Sequence, residues 1–330
     1  MKAETRVATA GEGISAAASL LAGGDLVALP TETVYGLGAD ALDPAACAKI
    51  FEAKDRPLSD PLIVHVPSID WLDRLAVVPE AARRLAENFW PGPLTLVLPR
   101  RETVPDLVTA GQETVAIRMS SHPLFREVLK AFGRPVAAPS ANRFGRISPT
   151  CVEHVLAELE GRIPLVLDGG PCAHGIESTI VLVAADGLHI LRNGPVTAEE
   201  LAAFGPVHGS VAGISAPGGL ASHYAPRTPL VIGEPASATD LRKSHAAGGT
   251  GVLKPCPVTV GLLSWRSAGE GFARVEPLSK TQDLREAAAN LYGAMRRLDA
   301  AGLALILAEP VPETGLGAAI MERLRKASAR

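Results

Sequence analysis

Along the first two hundred positions, short apolar runs alternate with longer stretches of mixed character. The runs at 26–29, 62–66, 94–98, 115–119, 136–138, 165–167, 179–183 and 188–191 read as buried strands. Before, between and after them, 14–22, 44–54, 79–88, 123–131, 151–159 and 198–204 read as helices. Thr150 with Glu153, and Thr197 with Glu200, have the spacing of a capping box. So many strands are too dense for a purely doubly wound parallel sheet, and a mixed, twisted sheet is expected.

The pattern lapses at 206–229, where Gly, Pro, Ser and His accumulate. A structureless stretch of that length is a linker or a functional loop. A second α/β pattern follows, with strands at 230–232, 251–253, 258–264 and 303–307 and helices at 283–300 and 317–327. The expected organisation is a catalytic domain over 1–205, a linker over 206–229 and a carboxyl-terminal α/β domain over 230–330.

Several residues do not fit these elements as packing material. The run Pro30-Thr31-Glu32-Thr33-Val34-Tyr35-Gly36-Leu37-Gly38 follows the first apolar strand. It sets hydroxyls, a carboxylate and close glycines at a strand's carboxyl end, where open α/β sheets take ligands. A tight strand-to-helix turn explains the same letters. Lys54 and Arg56 stand together at a helix end. A point charge beside a planar fork suits a polyphosphate, and cations also complement the last turn of a solvated helix. His65 lies inside an apolar strand and reads as a core residue. Arg118 ends another strand, where its charge needs a salt-bridge partner or a ligand. Ser140 and Asn142 follow a strand and let a ligand approach the backbone, while Ser148 before Pro149 also fits a helix start. Ser178 opens strand 179–183 and either binds a ligand or satisfies a turn. Arg192 precedes the turn-forming Asn193-Gly194, which makes a structural role credible. His223 and Tyr224 stand among Gly and Pro; a pure linker has no need of them, although they would also dock it on a domain.

The chain has 330 residues, 47% of them apolar and only 4% aromatic, so Ala, Val and Leu must supply most of the packing. It starts Met-Lys-Ala-Glu-Thr-Arg without signal-peptide layout, and the alanine-rich segment at 15–21 is too short to span a bilayer. Cys47, Cys151, Cys172 and Cys256 are scattered without metal-ligand spacing and read as reduced thiols of a cytoplasmic protein. Residues 1–205 hold 18 Lys and Arg against 25 Asp and Glu; residues 206–330 hold 14 against 10. An anionic ligand in the first part must therefore be held by local cations rather than by the overall field. The basic second part permits a weak tRNA contact, yet no RNA-binding signature with interleaved aromatics is present.

The motifs PTETVYGLGADA, IFEAKDRP, PLIVHV, WPGPLTLVLP, TVAIRM, AAPSAN, ISPT, LDGG, ESTIV and LRNGP, running in that order from about Asp25 to Pro195, resemble the YrdC-like family of threonylcarbamoyl-AMP synthases. The segment APGGLASHYAPRTPL resembles the family's long, two-domain (Sua-type) form, and 316–323 with 326–328 match it more loosely. The resemblance implies an α/β fold: a twisted mixed-sheet YrdC-like domain followed by a smaller Rossmann-like α/β domain. It implies a nucleotidyltransferase that joins L-threonine, bicarbonate and ATP into L-threonylcarbamoyladenylate and releases pyrophosphate. The product would pass to a tRNA threonylcarbamoyl-transfer complex that modifies the adenosine beside the anticodon. By the same resemblance Lys54 and Arg56 are the catalytic cations. Thr31, His65, Arg118 and Ser178 hold threonine. ATP contacts fall to Lys54, Arg56, Leu58, Thr114, Ala138, Ser140, Asn142, Ser148, Arg192 and Tyr224. His223 and Tyr224 form a lid, with Gly218 and Gly219 to absorb its motion. Mg2+ would arrive with ATP, since the protein shows no dedicated metal cluster. The alternative is an RNA-binding module of tRNA or ribosome maturation. A third reading, a related carbamoyl transferase, lacks the zinc-finger cysteines and acylphosphatase-like segment of its large relatives.

Overall fold

In the computed structural model, all eight apolar runs of residues 1–205 form strands, each within about a residue of its expected ends. The structure describes residues 4–211, 213–214, 216–218, 223–235 and 259–329. They divide into one unit of Met1–Phe144 with Ser148–Gly219 and a second of Gly145–Ile147 with Leu220–Arg330.

The first unit carries β1 (Arg6–Ala8), β2 (Val27–Leu29), β3 (Gly36–Asp40), β4 (Ile63–His65), β5 (Leu94–Pro99), β6 (Thr114–Arg118), β7 (Val136–Ala137), β8 (Leu165–Leu167), β9 (Thr179–Ala184), β10 (Gly187–Arg192) and β11 (Val207–His208). Among the described residues these make one eleven-stranded sheet in the order β1-β8-β2-β3-β7-β4-β6-β5-β9-β10-β11. It is mixed: β4 runs parallel to β6, and β5 to β9, while β5 and β6 are antiparallel. That is the architecture expected from the strand density.

Three of these strands escaped the sequence pattern, for different reasons. β1 has two exposed residues of three and shows no apolar run. β11 extends the sheet by two residues into the stretch read as structureless. β3 is Gly-Leu-Gly-Ala-Asp, poor strand material by propensity. Its glycines answer to close packing. A Cβ on Gly38 would meet Val136 Cγ1 at 3.0 Å and Leu29 Cδ1 at 3.3 Å, and one on Gly36 would meet Ala138 Cβ at 3.2 Å. The glycines of the conspicuous motif thus serve the sheet, which corrects their reading as poor packing material.

The capping box at Thr197 forms as expected: the Glu200 amide donates to Thr197 Oγ1 at 3.3 Å, and the Thr197 amide to Glu200 Oε2 at 2.8 Å. The one expected at Thr150 does not. Helix Val152–Leu159 is capped by Cys151 without a side-chain bond. The Thr150 amide and hydroxyl face His154 Nδ1 instead, each at 3.2 Å.

Strand alternation divides the first core between two faces. One face packs Val64, Leu94, Leu96, Ile117 and Val181 against Ile50, Phe51, Leu85 and Val155 from helices Pro44–Lys54, Glu80–Phe89 and Val152–Leu159. On the other face, Val27, Leu29, Val136 and Leu167 lie under Leu21, Phe125 and Val128 of helices Glu12–Ala22 and Pro123–Phe132. Farther along that face Ile63, Val97, Ala116, Ile180 and Leu182 form a small cluster with Ala216.

The second unit is a parallel sheet, β12 (Leu230–Ile232), β15 (Leu305–Ala308), β13 (Val260–Ser264) and β14 (Arg274–Pro277) side by side in that order, with helices Leu284–Asp299 and Leu316–Ser328. β14 was not read from the sequence, and the strand expected at 251–253 lies outside the described residues. An open parallel sheet offers anions the loops at its strands' carboxyl ends. Here that place is filled by the chain itself. Buried Glu309 accepts the amides of Trp265, Arg266 and Ser267 at 2.7, 2.9 and 3.1 Å. Burial pushes its carboxyl up, and these amides outweigh that and hold it below the usual range.

Candidate active site

Four of the polar residues singled out in the sequence, His65, Arg118, Ser178 and Arg192, lie on one face of the large sheet. Residues paired on adjacent strands point to the same side. His65 is paired with Arg118 across β4 and β6, Arg118 with Thr95 across β6 and β5, and Thr95 with Ile180 across β5 and β9. Ser178, two residues before Ile180, keeps that side by alternation. Arg192 would fall on the opposite face in regular register. A shift between Ile190 and Arg192 sets Arg192, rather than Leu191, opposite Ile180. The bulge re-aims the guanidinium toward Ser178, a use of bulges that recurs beside functional sites. The polar strip is therefore flanked on one sheet face by the two apolar clusters around Val136 and Ile180.

At one end of the strip stands a buried ion pair. Arg118 Nη2 donates to Glu32 Oε1 at 2.7 Å, Nη1 to Thr33 Oγ1 at 2.9 Å and Nε to the Gly92 carbonyl at 3.3 Å. Ser120 Oγ donates to the other Glu32 oxygen. Burial pushes the Glu32 carboxyl up, but the Arg118 charge and the two side-chain donors overcome it and bring it down to about 2. Both readings of Arg118 thus meet in one place: it has a salt-bridge partner, and three of its five N–H groups are used. Thr31 closes its own turn, with Oγ1 donating to the Val34 carbonyl at 2.6 Å and accepting the Thr33 and Val34 amides at 3.1 and 3.2 Å.

His65 is buried against the Phe125 ring, centroids 4.8 Å apart. Its Nδ1 has no hydrogen-bond partner among the described residues. Burial first, then the Arg118 charge, lower its pKa to about 3. It is a neutral ring under an arginine, unable to serve as a protonated acid near neutrality. The unfolded chain takes up a proton near pH 6.5 that the folded chain refuses until about 3. Folding stability is therefore expected to fall as pH drops through that interval. His65→Phe should flatten this slope in urea titrations run at a series of pH values. An unchanged slope would show that His65 titrates normally.

At the other end of the strip, Arg192 donates from Nη2 to Ser178 Oγ and from Nε to the Ser178 carbonyl, both at 3.0 Å, and from Nη1 to the Pro217 carbonyl at 3.0 Å. Thr95 Oγ1 lies 2.7 Å from Ser178 Oγ.

Lys54 ends helix Pro44–Lys54 and is fully buried, with Nζ donating to the carbonyls of Ser140 and Asn142. Burial, then the like charge of Arg56, pull its pKa well below the ordinary lysine value. Arg56 is turned back by Asp55, the left-handed residue that closes the helix. Its Nη2 lies 3.0 Å from Asp60 Oδ2 and donates to the Pro61 carbonyl at 2.7 Å. Neither cation is on a solvated helix end. The loop that Lys54 holds is also stitched to the conspicuous motif: Tyr35 donates its amide to Pro149 O at 2.9 Å, and Ala141 its amide to Tyr35 O at 2.8 Å. Ala138 donates its amide to Ile63 O at 2.9 Å. Ser148, fully buried, donates to Glu177 Oε1 at 2.5 Å.

Other expected residues stand apart. Thr114 begins β6 and Arg118 ends it, about 13 Å away at strand rise. Leu58 is 62% exposed. His223 and Tyr224 pack within the second unit. Tyr224 stacks on Tyr292 with centroids 5.7 Å apart, and the buried Arg323 guanidinium lies 5.5 Å from its ring. Its φ of 60° is a left-handed conformation that a tyrosine rarely adopts. Gly218 has a φ of 79°; Gly219 lies outside the described residues.

The family model described as telomere recombination, Sua5_yciO_yrdC, matches residues 19–194. The model described as threonylcarbamoyl-AMP synthase, C-terminal domain, matches residues 196–329. The threonylcarbamoyl-AMP synthase of Bacillus subtilis (strain 168) is 43% identical, over 96% of this chain and 92% of its own.

The chain belongs to the threonylcarbamoyl-AMP synthase family.

The Pyrococcus abyssi synthase is 42% identical over 96% of this chain and 94% of its own. A crystal structure titled as P. abyssi Sua5 complexed with L-threonine matches with a TM-score of 0.88, covering 98% of each chain. Escherichia coli YciO, 22% identical with a TM-score of 0.51, shares the fold over 58% of this chain.

Residues that these contacts bring in beyond the expected set include Thr95, Ser120, Asp60 and Glu177. For Asp60 a signal existed, since an acid four residues after Arg56 invites an ion pair. Thr95, in the middle of an apolar strand, gave none.

Proposed function

We propose that this family member condenses L-threonine, bicarbonate and ATP into threonylcarbamoyl-AMP on the polar strip of the first unit, the first step toward threonylcarbamoyladenosine in tRNA. The observation that carries the reading is the gathering of Arg118, Ser178 and Arg192 on one sheet face through strand register and one bulge. Threonine's amine captures carbon dioxide as a carbamate. A carbamate oxygen attacks the α-phosphorus, and pyrophosphate leaves. No protein nucleophile is needed, so catalysis rests on position and on charge placed where the phosphoryl group develops it.

Arg118 would take the threonine carboxylate with its remaining N–H groups, beside Thr31, the neutral His65 and Ser178. Lys54, Arg56 and Arg192 would take phosphates. The backbone of Leu58 with Thr114, Ala138, Ser140, Asn142 and Ser148 would hold the rest of the nucleotide. Magnesium would be carried in by ATP, ligated by phosphate oxygens and water: Glu32 and Asp60, the carboxylates beside these cations, are already paired with arginines. No helix among the described residues is long and apolar enough to cross a membrane, and we place the reaction in the cytoplasm, with a downstream tRNA-modifying complex as the product's recipient.

Pyrophosphate release should require threonine, bicarbonate and magnesium, each omitted in turn. Serine should be poorer by about 10–200-fold, one missing methyl in an apolar pocket being worth that much. Turnover indifferent to the amino acid would sink the synthase reading and favour an RNA-binding module. We also propose that His223 and Tyr224 act as a lid and that Tyr224 touches ATP. Tyr224→Ala should then speed loss of the adenylate, and ATP with threonine should protect 206–229 from protease. Equal cleavage with and without ligands would reduce the segment to a tether.

A further inference from the structure

The hydroxyls of Thr95 and Ser178 are both buried with their residues fully inaccessible, 2.7 Å apart. Their hydrogen-bond inventory is short. Thr95 Oγ1 meets only Ser178 Oγ among the described residues. Ser178 Oγ meets Thr95 Oγ1 and Arg192 Nη2, the latter at 3.0 Å. A guanidinium can only donate. Arg192 therefore fills one lone pair of the serine, and the two hydroxyl protons remain to be placed.

One of them lies between the two oxygens. The other has no acceptor among the described residues, whichever way the first one points. If Ser178 donated to Thr95, the stranded proton would belong to Thr95, in mid-strand, opposite the cationic Arg118 on one side and Ile180 on the other. Among the described residues no acceptor meets it there. If Thr95 donates to Ser178, both serine lone pairs are occupied by donors and the serine proton is the free one. It then stands at the start of β9, where the proposed substrates bind, and it is polarised by the arginine behind it. A buried hydroxyl proton without an acceptor is costly to leave unmade, and a substrate oxygen relieves that cost.

We propose that Thr95 is a positioning residue which, with Arg192, makes Ser178 an obligate hydrogen-bond donor to an acceptor oxygen of the amino-acid substrate. This rests on the synthase reading above and deepens it. A serine left to itself would donate or accept as its ligand required. This one rejects a donor, such as an ammonium, and selects the carboxylate or carbamate form of the substrate. Thr95 makes no contact with substrate; it acts by occupying the lone pair that would otherwise accept.

The test is a cycle on the full-length chain with threonine KM, ATP KM and kcat measured separately, and threonine binding followed by calorimetry. Thr95→Val keeps the shape and removes the hydroxyl; Thr95→Ala replaces it if the valine form does not fold. Threonine KM and Kd should rise roughly tenfold, the size of one hydrogen bond, while ATP KM moves by less than about threefold on the same scale. Thr95→Ser should recover the wild-type values. In a Ser178→Ala background, Thr95→Val should add nothing. Independent, additive losses from the two substitutions would overturn the proposal, as would a rise in ATP KM alone or a Thr95→Ser form as impaired as Thr95→Val. A wild-type chain that neither binds threonine nor needs it for pyrophosphate release would instead mark failure of the synthase reading, since that control is read before any variant.

Discussion

Arg118→Ala is expected to destabilise the first unit by about 3–5 kcal/mol and to abolish threonine saturation. The substitution strands the Glu32 carboxylate in a place where, among the described residues, Ser120 is the only other side chain donating to it. With the arginine present, that carboxyl sits at about 2 instead of 4.5, which corresponds to about 3 kcal/mol favouring the charged form in the fold. The sign follows from the depressed value. This stability is present above pH 4.5 and is lost as pH falls toward 2. In Arg118→Ala the loss should set in at higher pH, because burial without the arginine pushes the carboxyl up. Urea denaturation across pH, beside threonine calorimetry, measures both halves of the expectation. The double form Arg118→Met with Glu32→Gln separates them. It removes both charges together and should recover much of the stability, as neutral replacements of buried pairs often do, without recovering threonine binding. Recovery of both would make Arg118 a structural residue only.

Lys54→Met should lower kcat by roughly 10²–10³, the size seen when one preorganised donor is removed from a developing charge, with threonine binding retained. The ammonium is held in a buried socket between the carbonyls of Ser140 and Asn142, and it is kept reluctant to carry charge by burial and by Arg56. An arriving polyphosphate would reverse that reluctance, so the interaction is worth more here than at a surface. Lys54→Arg should not rescue, because a planar fork does not fit between two carbonyls shaped to a point charge. ATP calorimetry and pyrophosphate release on both variants check this. Turnover of the methionine form within about threefold of wild type would remove Lys54 from the chemistry.

Much of the site was legible one residue at a time. A lysine and an arginine at a helix end, an arginine closing an apolar strand and a serine opening one are each expensive to bury, and all four are buried. The alternatives attached to each were legible too, and local sequence had no means of choosing between them. Arg118 shows why. Its partner Glu32 is 86 positions away, so the ion pair that one reading required was invisible, and the pair does not exclude the ligand that the other required. Thr95 was missed because a threonine inside Leu94-Thr95-Leu96-Val97-Leu98 is ordinary strand material. Only its register against Arg118 and its approach to Ser178 single it out.

By itself the sequence determined the number and order of most strands and helices, the two-part organisation, the buried cations and the family to which the motifs point. These follow from local periodicity and from the rarity of charge in apolar runs, which a chain carries in its letters. Tertiary structure alone decided the rest. It turned Gly36 and Gly38 into strand packing against Ala138, Val136 and Leu29, filled the second sheet's anion nest with Glu309, and swung Arg192 onto the face of Ser178 by one bulge. The physical reason is plainest at Arg192. Which face a side chain takes depends on pairing register between strands far apart in sequence, and a shift of one residue, which leaves no local trace, moves a charge from one side of a sheet to the other.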